Sequence, residues 1–212
     1  MQKNNLYNKT YFENGVEAGI SGYQNYRWLP EQTILMCSAI AKHVNILKSD
    51  TILDYGCAKG FLVKGFTELG YNCSGVDISE YAIENSDVSI KEKLKLLKAE
   101  CINQEISAMK KDVIICKDVL EHVPYENIND LIKSFYACSS KLFVVVPLAE
   151  NGRYIIPDYE KDLTHIIREK EQWWKKVFES AGYNVNFTFK VSGIKDNWSH
   201  YQKGNGFFLC TK

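Results

Sequence analysis

The sequence predicts an α/β fold built on a doubly wound parallel sheet with helices on both faces. Two observations carry this expectation. From Thr51 to Val146 short apolar runs alternate with segments of helical spacing, the pattern of successive strand–helix units. In addition, Asp54, Asp77, Glu100 and the stretch Cys116 to Asp118 all stand where such runs end. Ligands of these sheets bind beyond the carboxyl ends of the strands, where the strand order reverses, so the four positions are expected to converge on one crevice.

Residues 1–30 are polar, aromatic and glycine-containing, and read as an arm outside the main sheet. Pro30 suits the first turn of a helix, and apolar residues then recur at helical spacing from Glu31 to Leu47. The alternation follows: strand 51–55, helix 60–69, strand 72–76, helix 79–85, strand 95–99, a short helix or loop, strand 112–116, helix 127–138 and strand 141–146. Segment 147–168 is long for a simple connection and is expected to build an acceptor pocket. A helix, EKEQWWKKVFESAG, ends at Gly182 as its C-terminal cap, with one of Trp173 and Trp174 facing the core. Two β-type runs, YNVNFTFKVSG and NGFFLC, finish the chain. The whole reads as one domain: an arm and helix over 1–47, a ligand-binding core over 48–146, and acceptor loop, helix and terminal strands over 147–212.

Composition narrows the class. With 212 residues, 45% of them hydrophobic and 25% charged, the chain has the make-up of a water-soluble globule with one substantial core. Its 26 basic and 26 acidic residues cancel, which weighs against a nucleic acid as substrate. The seven cysteines include no CxxC pair and read as small buried hydrophobes of a reducing compartment. The opening MQKNNLYNKTYF lacks an apolar signal core, and the longest apolar run, LFVVVPLA, is too short to span a bilayer. A cytoplasmic protein is expected; its oligomeric state is open.

The stretch TILDYGCAKG reads as strand, glycine loop and helix start. Gly56 and Gly60 let the backbone turn sharply and let a ligand approach with no Cβ in the way. Asp77 closes the next strand, where a carboxylate is suited to accept both hydroxyls of a ribose. An adenosine-bearing cofactor is therefore expected, but the order Gly56, Cys57, Ala58, Lys59, Gly60 does not fit the dinucleotide fingerprint. The loop instead resembles the first motif of the class I S-adenosylmethionine (SAM) dependent methyltransferases, an acidic residue followed by GxGxG, with Ala58 at the middle glycine. GVDIS, KAEC and DVIICKDVLEHVP extend the resemblance over roughly residues 50–150.

That resemblance implies a Rossmann-like, seven-stranded mixed sheet with the last strand antiparallel, and SAM as cofactor. It implies that Gly56, Cys57 and Gly60 pack against the methionine portion, that Asp77 with Ile78 holds the ribose, and that Glu100 with Cys101 borders the adenine. Lys117 follows the fourth strand and offers its backbone, and Asp54 acts through water or by holding the loop. In related enzymes such an arm folds over the cofactor, which makes Tyr23, Tyr26, Arg27 and Trp28 candidates to line the site. His165 is the preferred general base for a hydroxyl acceptor and His122 the second, with Arg153, Tyr154 and Tyr159 shaping the pocket.

No metal is assigned, but one alternative stands beside that reading. Asp118, Glu121 and His122 form DxxEH, a spacing that puts Asp118 and His122 on one helical face. Related runs with a distant histidine bind a divalent metal in small-RNA 3′-end and some ubiquinone-biosynthesis methyltransferases, and His165 is suited to that last place. Asp118 and Glu121 equally fit a helix capping box. The expected function is methylation of a small polar acceptor, foremost a sugar or glycan hydroxyl. The rivals are a metal-dependent methyltransferase of vicinal hydroxyls and a non-catalytic SAM-binding protein.

Overall fold

The computed structural model describes residues 6–212; residues 1–5, which open the stretch read as lacking a signal core, lie outside the described residues. Two short helices, α1 (Lys9–Glu13) and α2 (Gly15–Ala18), form the arm, and α3 (Pro30–Val44) follows. Strands β1 (Thr51–Tyr55), β2 (Asn72–Asp77), β3 (Leu94–Leu96), β4 (Lys111–Lys117) and β5 (Ser139–Pro147) then alternate with α4 (Phe61–Glu68), α5 (Glu80–Glu84), α6 (Ile102–Ala108) and α7 (Tyr125–Cys138). A hairpin of β6 (Ala149–Glu150) and β7 (Arg153–Tyr154), helix α8 (Glu171–Ser180), and strands β8 (Asn184–Thr188) and β9 (Asn205–Thr211) complete the chain.

The main sheet has seven strands in the order β3-β2-β1-β4-β5-β9-β8. Neighbours from β3 to β5 are parallel, while β9 runs antiparallel to both β5 and β8. The order reverses between β1 and β4, so the crevice opens beyond Tyr55 and Lys117.

Alternation of side chains divides the core between the two faces. Leu53, Ile114, Cys116, Leu142 and Val144 face α7 and α8, whereas Ile52, Val113, Ile115, Phe143 and Val145 face α3 and α4. The central strands therefore read as unbroken apolar runs because both faces are covered. Trp174 of α8 is fully buried and stacks near Phe178, while Trp173 is only partly covered. Six of the seven cysteines are buried.

Several boundaries differ from expectation, each for a local reason. Helix α3 stops at Val44 because Asn45 turns left-handed (φ 54°), leaving Leu47 exposed. The third strand is three residues long and ends at Leu96, where its partner β2 ends at Asp77; the last ladder bond runs from Leu97 N to the Asp77 carbonyl. Segment 147–168 contains a hairpin turned by Asn151 and Gly152, both at positive φ as a tight type I′-like turn needs. Among the described residues no helix is long and apolar enough to cross a membrane.

Replacing Trp174 with Ala removes the largest fully buried side chain of the α8 face. We expect a loss of about 3–5 kcal/mol in urea-induced unfolding, without a change of fold in far-UV circular dichroism.

Candidate active site

The glycine loop is held by its neighbours on both sides. Gly56 N and Cys57 N both donate to Val76 O of β2, at 2.8 and 3.0 Å. Gly56 has φ 76°, and a Cβ there would lie 2.4 Å from Val119 Cγ2 across the switch point, so only glycine fits. Ala58 occupies the middle position at φ 49°, left-handed backbone that an L-residue adopts only when its surroundings hold it there. What holds it is Asp77, whose Oδ2 accepts from Ala58 N and whose Oδ1 accepts from Ser79 N, each at 2.7 Å. Burial nevertheless outweighs these bonds and raises the Asp77 pKa. Asp54 lies beneath the loop, and burial, with the Asp77 charge second, pushes it up to about 7. Its Oδ2 has no hydrogen-bond partner among the described residues.

A cavity of about 640 Å³ opens beside this loop. Gly56, Asp77, Ile78 and Glu100 line it, as do Asp118 and His122. Other predicted positions stand around it rather than on its wall. Cys57 is buried under the loop, and Gly60, at φ 78°, caps α4. Cys101 is half-buried, and Lys117 turns its ammonium to Asp118. Residues that the sequence reading missed complete the wall: Tyr7, Tyr11 and Phe12 of the arm, Asn103 of α6, Val119, and Thr164. Of these, Thr164 carried a signal, since it precedes His165 in the acceptor segment.

The arm does fold over the site; of the four residues expected to line it only Tyr23 does so, and most of the contacts come from others. Lys59 of the glycine loop reaches Glu13 Oε1 at 2.5 Å and the Tyr26 carbonyl at 3.0 Å, and Tyr81 OH donates to the same Glu13 oxygen. Ser79 Oγ donates to Tyr7 O, and Tyr11 OH donates to Asp162 Oδ2. Tyr23 lines the cavity. Tyr26 does not: its ring packs among Phe12, Tyr23 and Phe61. Arg27 is exposed and bends back to the Asn25 carbonyl, and Trp28 packs on Phe61 under Lys64.

The DxxEH segment corrects the sequence reading. It is not an α-helix: Asp118 has φ 56° and only Leu120–His122 form a single tight turn, so Asp118 and His122 share no helical face and no capping box exists. Asp118 is instead clamped between Lys117 (2.5 Å) and Lys195 (2.7 Å). Burial works to raise its pKa, but the two ammonium groups prevail and hold it well below the usual carboxylate range. Glu121 goes the other way. Burial, with the Asp118 charge second, raises it well above its ordinary value, and Oε2 has no partner among the described residues. The backbone carbonyl of Glu121 accepts from Ile166 N and Ile167 N, which pins the acceptor segment to this turn.

That pinning brings the two histidines together, with ring centroids 4.7 Å apart. His122 is on the cavity wall and His165 is not, so of the two candidate bases only the second-ranked one faces the cavity. Burial, with His165 second, pushes His122 down to about 4, and burial lowers His165 as well. Both rings are therefore neutral near pH 7. Tyr154 and Tyr159 pack against His165, whereas Arg153 is exposed. Glu121, His122 and His165 offer ligand atoms that all lie within 4.8 Å of one another, a set able to hold a cation.

A switch-point crevice with a glycine loop, a carboxylate at the end of the next strand and a roofing arm has the form of a nucleoside-cofactor site in an α/β sheet. A family model described as a methyltransferase domain matches residues 29–186, and the chain belongs to that family, the class I SAM-dependent methyltransferases. Among named relatives, the ubiquinone biosynthesis O-methyltransferase of Coxiella burnetii is 30% identical over 167 residues, covering 70% of this chain and 68% of its own. Its counterpart from Idiomarina loihiensis is 32% identical over 89 residues, which cover 40% of this chain and only 37% of the relative. A solved SAM-dependent methyltransferase from Archaeoglobus fulgidus shares the fold, with a TM-score of 0.66 at 16% identity over 85% of this chain and 94% of that one.

Asp54 yields a test of the cavity's electrostatics. Its folded pKa of about 7 exceeds the ordinary 3.8, so the folded state holds a proton that the unfolded chain has released. Stability from this group is full below about pH 4 and is lost as pH rises toward about 7, at most about 1.4 kcal/mol per pH unit. Asp54→Asn should flatten that decline in urea titrations of the cofactor-free protein; an unchanged slope would assign it to another group.

Proposed function

We propose that the protein transfers the methyl group of SAM to a hydroxyl oxygen of a small acceptor bearing vicinal hydroxyls, with Glu121, His122 and His165 as ligands of a divalent cation. The observation that carries this reading is the Glu121 carboxylate, buried with an unpartnered oxygen beside two neutral imidazoles. An isolated buried carboxylate is costly unless it is protonated or meets a cation. His165 donates Nδ1–H to the Tyr159 carbonyl, which can only accept, so its Nε2 lone pair is free for a ligand. One carboxylate and two imidazoles suit a divalent ion and leave coordination positions open to an acceptor. When bound there, the ion supplies Lewis acidity that lowers the pKa of an acceptor hydroxyl.

The chain's own residues do the rest. In this reading the glycine loop admits the methionine end of SAM close to the backbone, and Asp77 accepts the ribose hydroxyls with the lone pairs left over from Ala58 N and Ser79 N. Glu100 and Asn103 border the adenine side of the cavity. The arm roofs the crevice and excludes water, which favours in-line displacement at the methyl carbon over hydrolysis. The relatives named for ubiquinone biosynthesis support transfer to oxygen. They lend nothing to the sugar or glycan hydroxyl expected from the sequence, and the vicinal-hydroxyl alternative is the better supported one.

Two experiments test this. Methylation of catechol-type probes should be abolished by EDTA and restored by Mg²⁺ or Mn²⁺; turnover indifferent to EDTA would remove the metal, and SAM binding with no turnover on any probe would favour the non-catalytic reading. Asp77→Ala should weaken SAM binding in calorimetry by about 1.5–3 kcal/mol. An unchanged affinity would sink the ribose assignment.

A further inference from the structure

The histidine on the cavity wall is not free to choose its tautomer. His122 Nδ1 lies 2.8 Å from Thr164 Oγ1, and either atom of that pair is able to donate. Thr164 decides the matter through its contact with Asp162. Its hydroxyl lies 2.6 Å from Asp162 Oδ1, and its backbone N–H donates to the same oxygen at 2.9 Å. A carboxylate oxygen in such a turn accepts and does not donate, so the single hydroxyl proton of Thr164 is directed to Asp162. What remains on Oγ1 toward His122 is a lone pair. Nδ1 must therefore carry the ring proton, and Nε2 keeps its lone pair.

The other oxygen of Asp162 comes under the control of the arm. Tyr11 OH donates to Oδ2 at 2.8 Å, and Asp162 is only 7% exposed. Tyr11 is 3% exposed and packs edge-on against Tyr7, whose ring in turn meets the His122 ring edge-on. Leu163 N donates to the Ile20 carbonyl, so arm and acceptor segment are also joined by backbone.

We propose that Tyr11, Asp162 and Thr164 form a relay that locks His122 in its Nδ1–H tautomer and leaves Nε2 unprotonated, with the seated arm fixing the Asp162 carboxylate that orients Thr164. Asp162 and Thr164 are positioning residues, and Tyr11 ties their geometry to the arm. The consequence for a site holding a cation follows from general coordination chemistry: a ring whose second nitrogen donates to an oriented acceptor is fixed in direction and is a better ligand. The same lock serves His122 as a proton acceptor, because it presents the same nitrogen to the cavity. The relay's role in turnover rests on the hydroxyl-methylation reading, but the tautomer does not.

The test therefore reads the tautomer directly. Long-range nitrogen–proton correlation spectra of nitrogen-15-labelled protein, near neutral pH and with His122 assigned by its absence in His122→Gln, should show a protonated Nδ1 and a bare Nε2. Thr164→Val keeps the shape of the side chain and removes the acceptor; it should give a mixture of tautomers or the Nε2–H form. Thr164→Ser should restore the wild-type pattern. Tyr11→Phe should broaden or shift the His122 signals while circular dichroism stays unchanged. A wild-type Nε2–H tautomer, or a Thr164→Val spectrum identical to wild type, overturns the relay whether or not the protein methylates any probe. With catechol-type probes, Thr164→Val should lower turnover by about 10–100-fold with SAM affinity nearly intact, the usual range for the loss of a ligand's supporting hydrogen bond. A shifted tautomer with no turnover in the wild type would retain the relay and reject the hydroxyl-methylation reading instead.

Discussion

Both oxygens of Asp77 are engaged before any ligand arrives, and the form of the cavity depends on that engagement. One oxygen holds Ala58 in a left-handed backbone; the other holds Ser79, the N-cap of α5. Ser79 passes the constraint outward, since its hydroxyl both caps Ala82 N and holds the Tyr7 carbonyl of the arm. A single buried carboxylate thus sets the glycine loop, the start of a helix and the seat of the lid. Lys59 closes the circuit from the other end, because it belongs to the loop and grips Glu13 and Tyr26 of the arm. Hydrogen bonds of this kind contribute modestly to net stability, but removing one partner leaves a covered polar group unsatisfied, which costs more than the bond itself contributes. Their effect is to define one geometry.

The sequence revealed what is local and concealed what is long-range. The loop, Asp77 and the strand–helix alternation were readable because glycine spacing and apolar period are properties of short windows. The antiparallel ending needed the family resemblance, since nothing in NGFFLC states its neighbour or direction. Asp118 was misread because period arguments assume a continuous helix, whereas its positive φ and its clamp between Lys117 and Lys195 exist only once β8 and β9 are in place. The same holds for the arm: Tyr26 and Arg27 look like a cofactor lid in sequence, but the lid contacts come from Tyr7, Tyr11 and Glu13. His165 was ranked above His122 on its place in a loop, yet the pinning of Ile166 and Ile167 to the Glu121 carbonyl turns His122 toward the cavity and leaves His165 beside it.

Charge is unevenly distributed along the crevice, and this bears on the direction of the chemistry. On the cofactor side stand Asp54 and Asp77, carboxylates whose pKa values are raised by burial and which a cationic sulfonium would help to ionise. On the other side two lysines face one carboxylate, Asp118, with the neighbouring Glu121 raised toward its neutral form. The first arrangement favours a positive ligand; in the second, Asp118 is already paired with its lysines, and the unpartnered Glu121 oxygen beside two imidazoles is suited to a cation as well. In the proposed reading the positively charged methyl donor meets the first, and a cation held by Glu121, His122 and His165 would offset the negative charge that an acceptor oxygen gains as its proton leaves.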